Sequence, residues 1–128
     1  MPTRRTASLI LALAAFAPGC LLAAGSPYDA ASFAALQKAG QPILVHVHAS
    51  WCPTCRAQDP IVSGLLKDPR FARLHAVEVD FDTQKDLLRA WHVGTQSTLI
   101  VFRGDKEIAR SVGDTRAASI EALMLRPL

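Results

Sequence analysis

Two cysteines three positions apart carry the clearest chemical signal in this 128-residue sequence. Cys52 and Cys55 lie in the stretch SWCPTCRAQDP, residues 50–60, ahead of a segment with helical spacing. A thiol at the first turn of a helix lies near unpaired backbone N–H groups and the positive end of the helix dipole, which favour the thiolate. We therefore expect Cys52 to be the nucleophile and Cys55, one turn further along, to be the more shielded thiol. Such a pair can interconvert between a dithiol and a disulfide.

Three other uses of the cysteine pair compete with redox chemistry. An inert structural bridge between Cys52 and Cys55 is disfavoured, because so small a ring removes little chain entropy. A zinc site would need two further ligands, and although His46 and His48 are close by, the sequence contains no second CxxC. A copper-binding protein or metallochaperone would use both cysteines and a histidine, because soft thiolates suit Cu(I). The copper protein is the main alternative.

The first 25 residues are predicted to form a signal peptide. Arg4 and Arg5 precede an apolar run from Leu9 to Phe16, and small residues follow before residue 26. The run is shorter than the ~20 residues of a membrane span. Cys20 weakly resembles the cleavage site of a lipoprotein, so lipid attachment there is the alternative. The predicted location is periplasmic or secreted, or, on the alternative, anchored to a membrane by lipid or by an uncleaved signal.

Composition indicates one folded domain over residues 26–128, since half of the residues are hydrophobic and the length suits a single core. Cleavage would remove two of the 14 basic residues and leave twelve against 11 acidic ones. No cluster of basic residues remains that would indicate nucleic-acid binding. Of three cysteines, only Cys52 and Cys55 would remain, in an oxidising compartment.

The order of predicted elements indicates an α/β domain. Its first part reads as a parallel βαβ unit, and its last part as an antiparallel hairpin followed by a covering helix. In such sheets, chemistry gathers beyond the carboxyl ends of the parallel strands, where the cysteines follow the first strand. The first predicted element is a helix capped by Asp29 and ended by Gly40 and Pro42. It is followed by strand 43–49, helix 53–67, strand 75–81, helix 85–93, and strands 97–103 and 107–112, which are joined by a turn at 104–106. The last predicted element is a helix capped by Asp114, with Ile120, Leu123 and Leu125 facing inward.

The WCxxC box after ILVxxxA, Pro60 five positions beyond the second cysteine, and the ending TLIVFRGDKEIARSVG together resemble thioredoxin. The resemblance covers residues 28–125. It implies a thioredoxin-like fold, in which helices flank a central mixed β-sheet made of a parallel βαβ half and an antiparallel hairpin, with Pro60 kinking the active-site helix. It also implies a protein-disulfide oxidoreductase that needs no cofactor or metal. Its partners would be protein thiols and disulfides and a separate redox protein, and we expect a monomer.

One departure from the family pattern lies beneath the cysteines. His46 stands where thioredoxins have a buried Asp, and Glu78 stands where they have a lysine on the neighbouring strand. We hypothesise that His46, oriented by Glu78, accepts the proton of Cys55 during resolution, a task suited to a group that titrates near pH 6.5. The alternative is that His46 is a buried histidine paired for structural reasons alone. His48 lies on the same face of the strand, where it either lines the cysteine site or packs in the protein interior.

A second departure is Ser97, at the position of the cis-proline that faces the cysteines in thioredoxins. Without proline, a trans bond between Gln96 and Ser97 is the default. The substitution puts inherited partner docking in doubt and modestly favours the copper alternative. Alternatively, the Ser97 hydroxyl serves a thiolate or a substrate backbone.

The remaining candidates surround the cysteines in sequence. Trp51 is predicted to shield the thiols and contribute to the partner surface. Pro53 and Thr54 influence the redox potential, because they set the backbone around the thiolate, but resemble neither the reducing nor the oxidising pairs of the family. Arg56 and Asp59 are predicted to be solvated charges on the helix face with no catalytic role.

Overall fold

The computed structural model describes residues 25–128. The predicted signal peptide, apart from its last residue, and the candidate lipid site at Cys20 therefore lie outside the described residues. The elements in chain order are β1 (Ser26–Pro27), α1 (Ala30–Lys38), β2 (Pro42–His48), α2 (Pro53–Leu66), a 3-10 turn (Pro69–Phe71), β3 (His75–Asp80), α3 (Lys85–Ala90), β4 (Thr98–Arg103), β5 (Lys106–Val112) and α4 (Ala117–Leu125).

Within residues 25–128, the strands form one five-stranded sheet in the order β1-β3-β2-β4-β5. β2 lies in its centre, parallel to β3 and antiparallel to β4, and β4 and β5 form an antiparallel hairpin. Gly104 closes the hairpin turn with a φ of 60°, a conformation that glycine adopts without strain. The predicted mixed sheet, with a parallel half and a hairpin, is confirmed.

The central strand β2 separates two apolar clusters. Its sequence PILVHVH is nearly continuously buried, as expected for a strand that is covered on both faces. Side chains alternate along a strand, so Ile43, Val45 and Val47 pack on the face shared with Phe33 of α1 and Leu88 of α3. Leu44 lies on the opposite face, in the cluster that α2 and α4 cover. His46 and His48 follow Leu44 at two-residue spacing and therefore lie on the α2 side of the sheet.

The last helix differs from its prediction in where it begins and in one of the residues that face inward. It begins at Ala117 and its N-cap is Arg116, which makes no side-chain cap bond. Asp114 lies upstream of the helix instead, accepts a hydrogen bond from the backbone N–H of Arg116 at 3.0 Å, and also accepts one from the Ser119 hydroxyl. The predicted inward position of Leu125 is also wrong, since that side chain is 39% exposed.

Met124, rather than Leu125, completes the inward face of α4. It is fully buried together with Ile120, while Leu123 is nearly so. Helix α3 is also shorter than predicted and ends at Ala90. It ends there because His92 has a φ of 54°, and Val93 N–H bonds back to the Leu88 carbonyl at 2.8 Å. None of the described helices has the length and apolar character that crossing a membrane requires.

Candidate active site

Both cysteines lie where β2 passes into α2. Cys52 is the N-cap of α2, in an extended conformation, and Pro53 occupies the first turn, where its missing N–H costs no helical bond. The backbone N–H of Cys55 donates a hydrogen bond to Cys52 Sγ at 3.1 Å. Such a donor stabilises negative charge on sulfur, so the predicted placement of Cys52 against the open end of the helix is found in the structure.

The burial of Cys52 differs from expectation. Cys52 and Cys55 both have 0% of their surface exposed, and both are free thiols. The side chains that pack with them are Ala49 and Phe81, the latter from the segment after β3. The prediction that Cys55 is the more shielded of the two is therefore wrong, because Phe81, from a distant part of the chain, packs against a cluster in which both cysteines are buried.

Trp51 lies beside the buried pair and is 53% exposed. Its indole N–H donates a hydrogen bond to the Asp82 carboxylate at 2.8 Å. This contact holds the aromatic ring at the surface, next to the loop that carries Phe81. Trp51 therefore presents an exposed aromatic surface, while Ala49 and Phe81 pack with the two cysteines.

Cys55 is held as a neutral thiol. Burial, more than any other effect, raises the pKa of Cys55 to about 11, and the neighbouring Cys52 adds to the shift. Backbone groups of Ala49 and Ser97 act in the opposite direction. The thiol lies 3.9 Å from the Val47 carbonyl, to which it donates. Cys55 must therefore lose a proton to a nearby acceptor before it can act as a nucleophile near neutral pH.

His46 lies on the same strand as Val47 and is completely buried. Its Nε2 is 3.0 Å from Gln58 Oε1, and its Nδ1 is 3.8 Å from Asp59 Oδ1. Burial lowers the pKa of His46 from 6.5 to about 4, although the charge of Asp59 opposes the shift. The imidazole is therefore neutral near pH 7, but the expectation that it titrates near pH 6.5 is wrong, and its lowered pKa makes it a weaker base than predicted.

The predicted orientation of His46 by Glu78 is wrong. The two residues are register partners across β2 and β3, but no contact joins their side chains, and Glu78 Oε1 lies 3.8 Å from Nδ1 of His48. His48 also lies with its Nε2 3.2 Å from Asp59 Oδ2. Burial raises the pKa of Glu78, and the charge of His48 opposes that shift. Glu78 thus belongs to the surroundings of His48.

The prediction that Asp59 is a solvated surface charge is also wrong. Its side chain is 30% exposed and lies between His46 and His48. Gln58, which the sequence interpretation did not select, is fully buried and contacts His46. Both follow Cys55 at a spacing of three or four residues, and this helical period could have placed them on the same face. Arg56 is exposed, as predicted.

Ser97 lies in the turn before β4 with a φ of 58°, and its peptide bond to Gln96 is trans. Its N–H donates to the Val47 carbonyl at 2.8 Å, beside Cys55. Its hydroxyl donates to the Gln96 carbonyl at 2.6 Å and so is not directed at a thiolate. Ser97 therefore contributes backbone groups to the site. Of the other candidates, Pro53 is exposed and Thr54 is half-buried.

Ser97→Gly is expected to give a protein about 1 kcal/mol more stable than Ser97→Ala. Both variants lose the serine hydroxyl, but glycine adopts the positive φ of residue 97 without the steric cost of a Cβ atom. Urea unfolding of the two variants measures the difference. Equal stabilities would contradict the left-handed conformation at this position.

Metal chemistry has no structural support among the described residues. No group of three or more His, Cys, Asp or Glu side chains in residues 25–128 is arranged to hold a metal ion. The ring nitrogens of His46 and His48 contact Gln58, Asp59 and Glu78. The alternative of a copper site built from two cysteines and a histidine therefore gains no support from this arrangement.

Comparison with known proteins identifies the family to which this architecture belongs. The model of the family "Thioredoxin" matches residues 27–126. The chain belongs to the thioredoxin family. Membership implies a general thiol–disulfide oxidoreductase activity. Thioredoxin of Mycobacterium tuberculosis is 31% identical over 99 residues, which are 77% of this chain and 81% of that protein.

Other relatives are longer than this chain. The bifunctional thioredoxin reductase/thioredoxin of Mycobacterium leprae is 31% identical over 100 residues, and the match covers 78% of this chain but 21% of that protein. The match to thioredoxin H2-1 of Oryza sativa spans 50% of its length. Among solved structures, Trxlp from Edwardsiella tarda is 39% identical with a TM-score of 0.76, covering 79% of this chain and 98% of that one. This similarity confirms the thioredoxin-like fold.

Proposed function

We propose that this protein exchanges disulfides with other proteins through Cys52 and Cys55, in the periplasm or another exported compartment. The observation that carries the proposal is the hydrogen bond from Cys55 N–H to Cys52 Sγ at 3.1 Å, at the N-terminus of α2. This donor and the helix dipole favour a thiolate at Cys52. Family membership supports the same chemistry.

The exchange has two steps, written here in the reducing direction. Cys52 thiolate attacks one sulfur of a partner disulfide, and the other partner sulfur leaves as a thiolate. Cys55 then gives up its proton and attacks Cys52 Sγ, so that the Cys52–Cys55 disulfide forms and the remaining partner sulfur leaves. The partner gains two electrons and the cysteine pair loses two. A separate redox protein must return the pair to its starting state, and the oxidising direction is the reverse.

The proton acceptor in the second step is proposed to be His46. The imidazole is neutral near pH 7 because burial lowers its pKa to about 4, and it lies on β2 next to Val47, whose carbonyl contacts Cys55. Asp59 lies one helical turn beyond Cys55 and beside His46 Nδ1. An acceptor is needed at this step because burial, above all, raises the pKa of Cys55 to about 11, and the charge of Asp59 would stabilise the imidazolium that forms at His46.

His46→Ala is expected to slow the resolution of the mixed disulfide about tenfold and to change the first attack by less than about twofold. Resolution needs the proton of Cys55 to leave, whereas Cys52 attacks as a thiolate. Rapid-quench mass spectrometry of the adduct with a disulfide peptide separates the two rates. His75→Ala, at the exposed start of β3, is the control. Equal slowing of both steps would reject the role of His46.

The partner surface is proposed to include Trp51, because this exposed indole adjoins the buried sulfurs. The proposed partners are protein disulfides or thiols, and the protein is proposed to act as a monomer. The test of the function is reduction of insulin disulfides by metal-free protein in the presence of dithiothreitol. Catalysis above the dithiothreitol background supports the proposal. A protein that binds about one Cu(I) per chain and does not accelerate the reduction would overturn it in favour of a copper carrier.

A further inference from the structure

Gln58 makes three hydrogen-bonding contacts, and their chemistry fixes its orientation. Its Nε2 donates to the Ser97 carbonyl at 3.1 Å and to the Asp114 carbonyl at 2.9 Å. Its Oε1 faces His46 Nε2 at 3.0 Å. The opposite amide orientation would bring Oε1 against two carbonyl oxygens that cannot donate. The side-chain oxygen therefore faces the imidazole, and His46 Nε2 must carry a hydrogen to donate to it.

This requirement selects one tautomer of His46. A neutral imidazole carries one N–H, so a hydrogen on Nε2 leaves Nδ1 with a free lone pair. Nδ1 is buried and has no hydrogen-bond partner among the described residues. Asp59 Oδ1 is buried and unpartnered as well, and it lies 3.8 Å from Nδ1. Two acceptor atoms thus face each other in a buried site, where a single proton would satisfy both.

This pair is connected to the cysteines through α2 and through the turn that contains Ser97. Asp59 lies one turn of α2 beyond Cys55, and the Ser97 carbonyl that Gln58 holds belongs to the turn whose backbone acts on Cys55. His48, on the same strand, has its ring centre 5.4 Å from that of His46.

The other charged group near His46 is on β3. Glu78 faces His46 in the strand register but contacts His48. From β4, the register partner of His46 is the buried, apolar Leu99. Among Asp59, His48 and Glu78, the group nearest to the unpartnered lone pair of His46 Nδ1 is therefore Asp59.

We propose that Gln58 is a positioning residue that holds His46 as the Nε2–H tautomer, so that the proton of Cys55 is received between His46 Nδ1 and Asp59 Oδ1. The source of the proton rests on the proposed exchange reaction, whereas the tautomer does not. Because Gln58 also binds the Ser97 and Asp114 carbonyls, it ties the acceptor to the turn beside the sulfurs.

The direct test is imidazole 15N–1H NMR of the reduced protein at pH 7. The expected spectrum shows neutral His46 with its hydrogen on Nε2. In Gln58→Met the acceptor for that hydrogen is lost, and we expect a shift towards the Nδ1–H tautomer, which can donate to Asp59. Gln58→Glu keeps an oxygen acceptor and is expected to keep Nε2 protonated. Wild-type His46 as the Nδ1–H tautomer, or an unchanged tautomer in Gln58→Met, would overturn the proposal.

A kinetic readout separates positioning from general destabilisation. Gln58→Met is expected to slow resolution about tenfold with little effect on the first attack. Val62→Ala, at another buried position of α2, removes core packing without touching His46 and should leave the ratio of the two rates unchanged. If Gln58→Met does not fold, the wild-type tautomer and Gln58→Glu decide the matter. Absence of all turnover in the wild type would refute the exchange reaction. It would not affect the assignment of the His46 tautomer, which the NMR spectra test independently.

Discussion

Replacing Cys52 by serine is expected to abolish disulfide exchange, with turnover at least about a thousandfold below that of the wild type. The reaction begins with attack by a thiolate, and a serine hydroxyl at the N-terminus of α2 stays protonated and is a poor nucleophile towards sulfur. The insulin-reduction rate measures the loss. Ser63→Ala, a small polar change further along α2, is the matched control and should retain full activity.

Cys55→Ser is expected to fail differently. Cys52 can still attack, but no second thiol releases the partner, so a covalent adduct between Cys52 and the substrate accumulates. Non-reducing electrophoresis and intact mass measurement detect this adduct, which Cys52→Ser cannot form. If Cys52→Ser trapped the substrate and Cys55→Ser did not, the assignment of the two sulfurs would have to be reversed.

The second large effect is acid destabilisation through His46. The pKa of His46 is lowered from 6.5 in the unfolded chain to about 4 in the folded protein, because its ring is buried. The unfolded state therefore binds the proton first as the pH falls, so this contribution to stability is complete above pH 6.5 and is lost as the pH approaches 4. A difference of about 2.5 pH units corresponds to about 3 kcal/mol.

His46→Gln removes this titration while keeping a polar side chain beside Gln58. Between pH 6.5 and pH 4, the free energy of unfolding of the wild type is therefore expected to decrease by about 3 kcal/mol more than that of His46→Gln. Urea unfolding at each pH measures both curves. Titrations shared by the two proteins cancel in this comparison, including those of Asp29 and Asp68, whose pKa values hydrogen bonds from Ser32 and Arg70 lower.

A control for this comparison is His75→Gln, since His75 is exposed. Its stability curve should run parallel to that of the wild type. Parallel curves for the wild type and His46→Gln would show that His46 is not a buried neutral imidazole, and the proposed acceptor would lose its physical basis.

Local patterns were enough to predict the framework of the site. The apolar run of β2, followed directly by Cys52 and the helical period of α2, predicted the junction at which the thiols lie, and the structure has it there. The period-two alternation of β2 likewise placed His46 and His48 on one face. Such patterns depend on backbone geometry, which short stretches of sequence largely determine.

The polar contacts beneath the thiols could not be predicted in the same way. Gln58 and Asp59 are polar residues at inward positions of a helix, and their burial depends on partners that the strand beneath them supplies. Glu78 was correctly aligned with His46, yet its flexible side chain reaches His48 instead. The burial of Cys52 depends on Phe81, which approaches from a different part of the chain.

The start of α4 shows how competing local interactions defeat a sequence rule. Asp114 has the chemistry of an N-cap, but it bonds to Arg116 and Ser119 from a position outside the helix. Met124 rather than Leu125 faces inward because it lies four residues beyond the buried Ile120, on the same face of the helix, whereas Leu125 lies five residues beyond it. One helical position separates a buried side chain from an exposed one.

The cover over the sulfurs has a consequence for chemical damage. Peroxides convert accessible thiolates to sulfenic and then to irreversibly oxidised sulfinic acids. Ala49 and Phe81 leave neither sulfur any surface that dissolved peroxide could reach in the resting protein. A cysteine pair enclosed in this way is expected to react slowly with peroxide for as long as Phe81 stays packed against it.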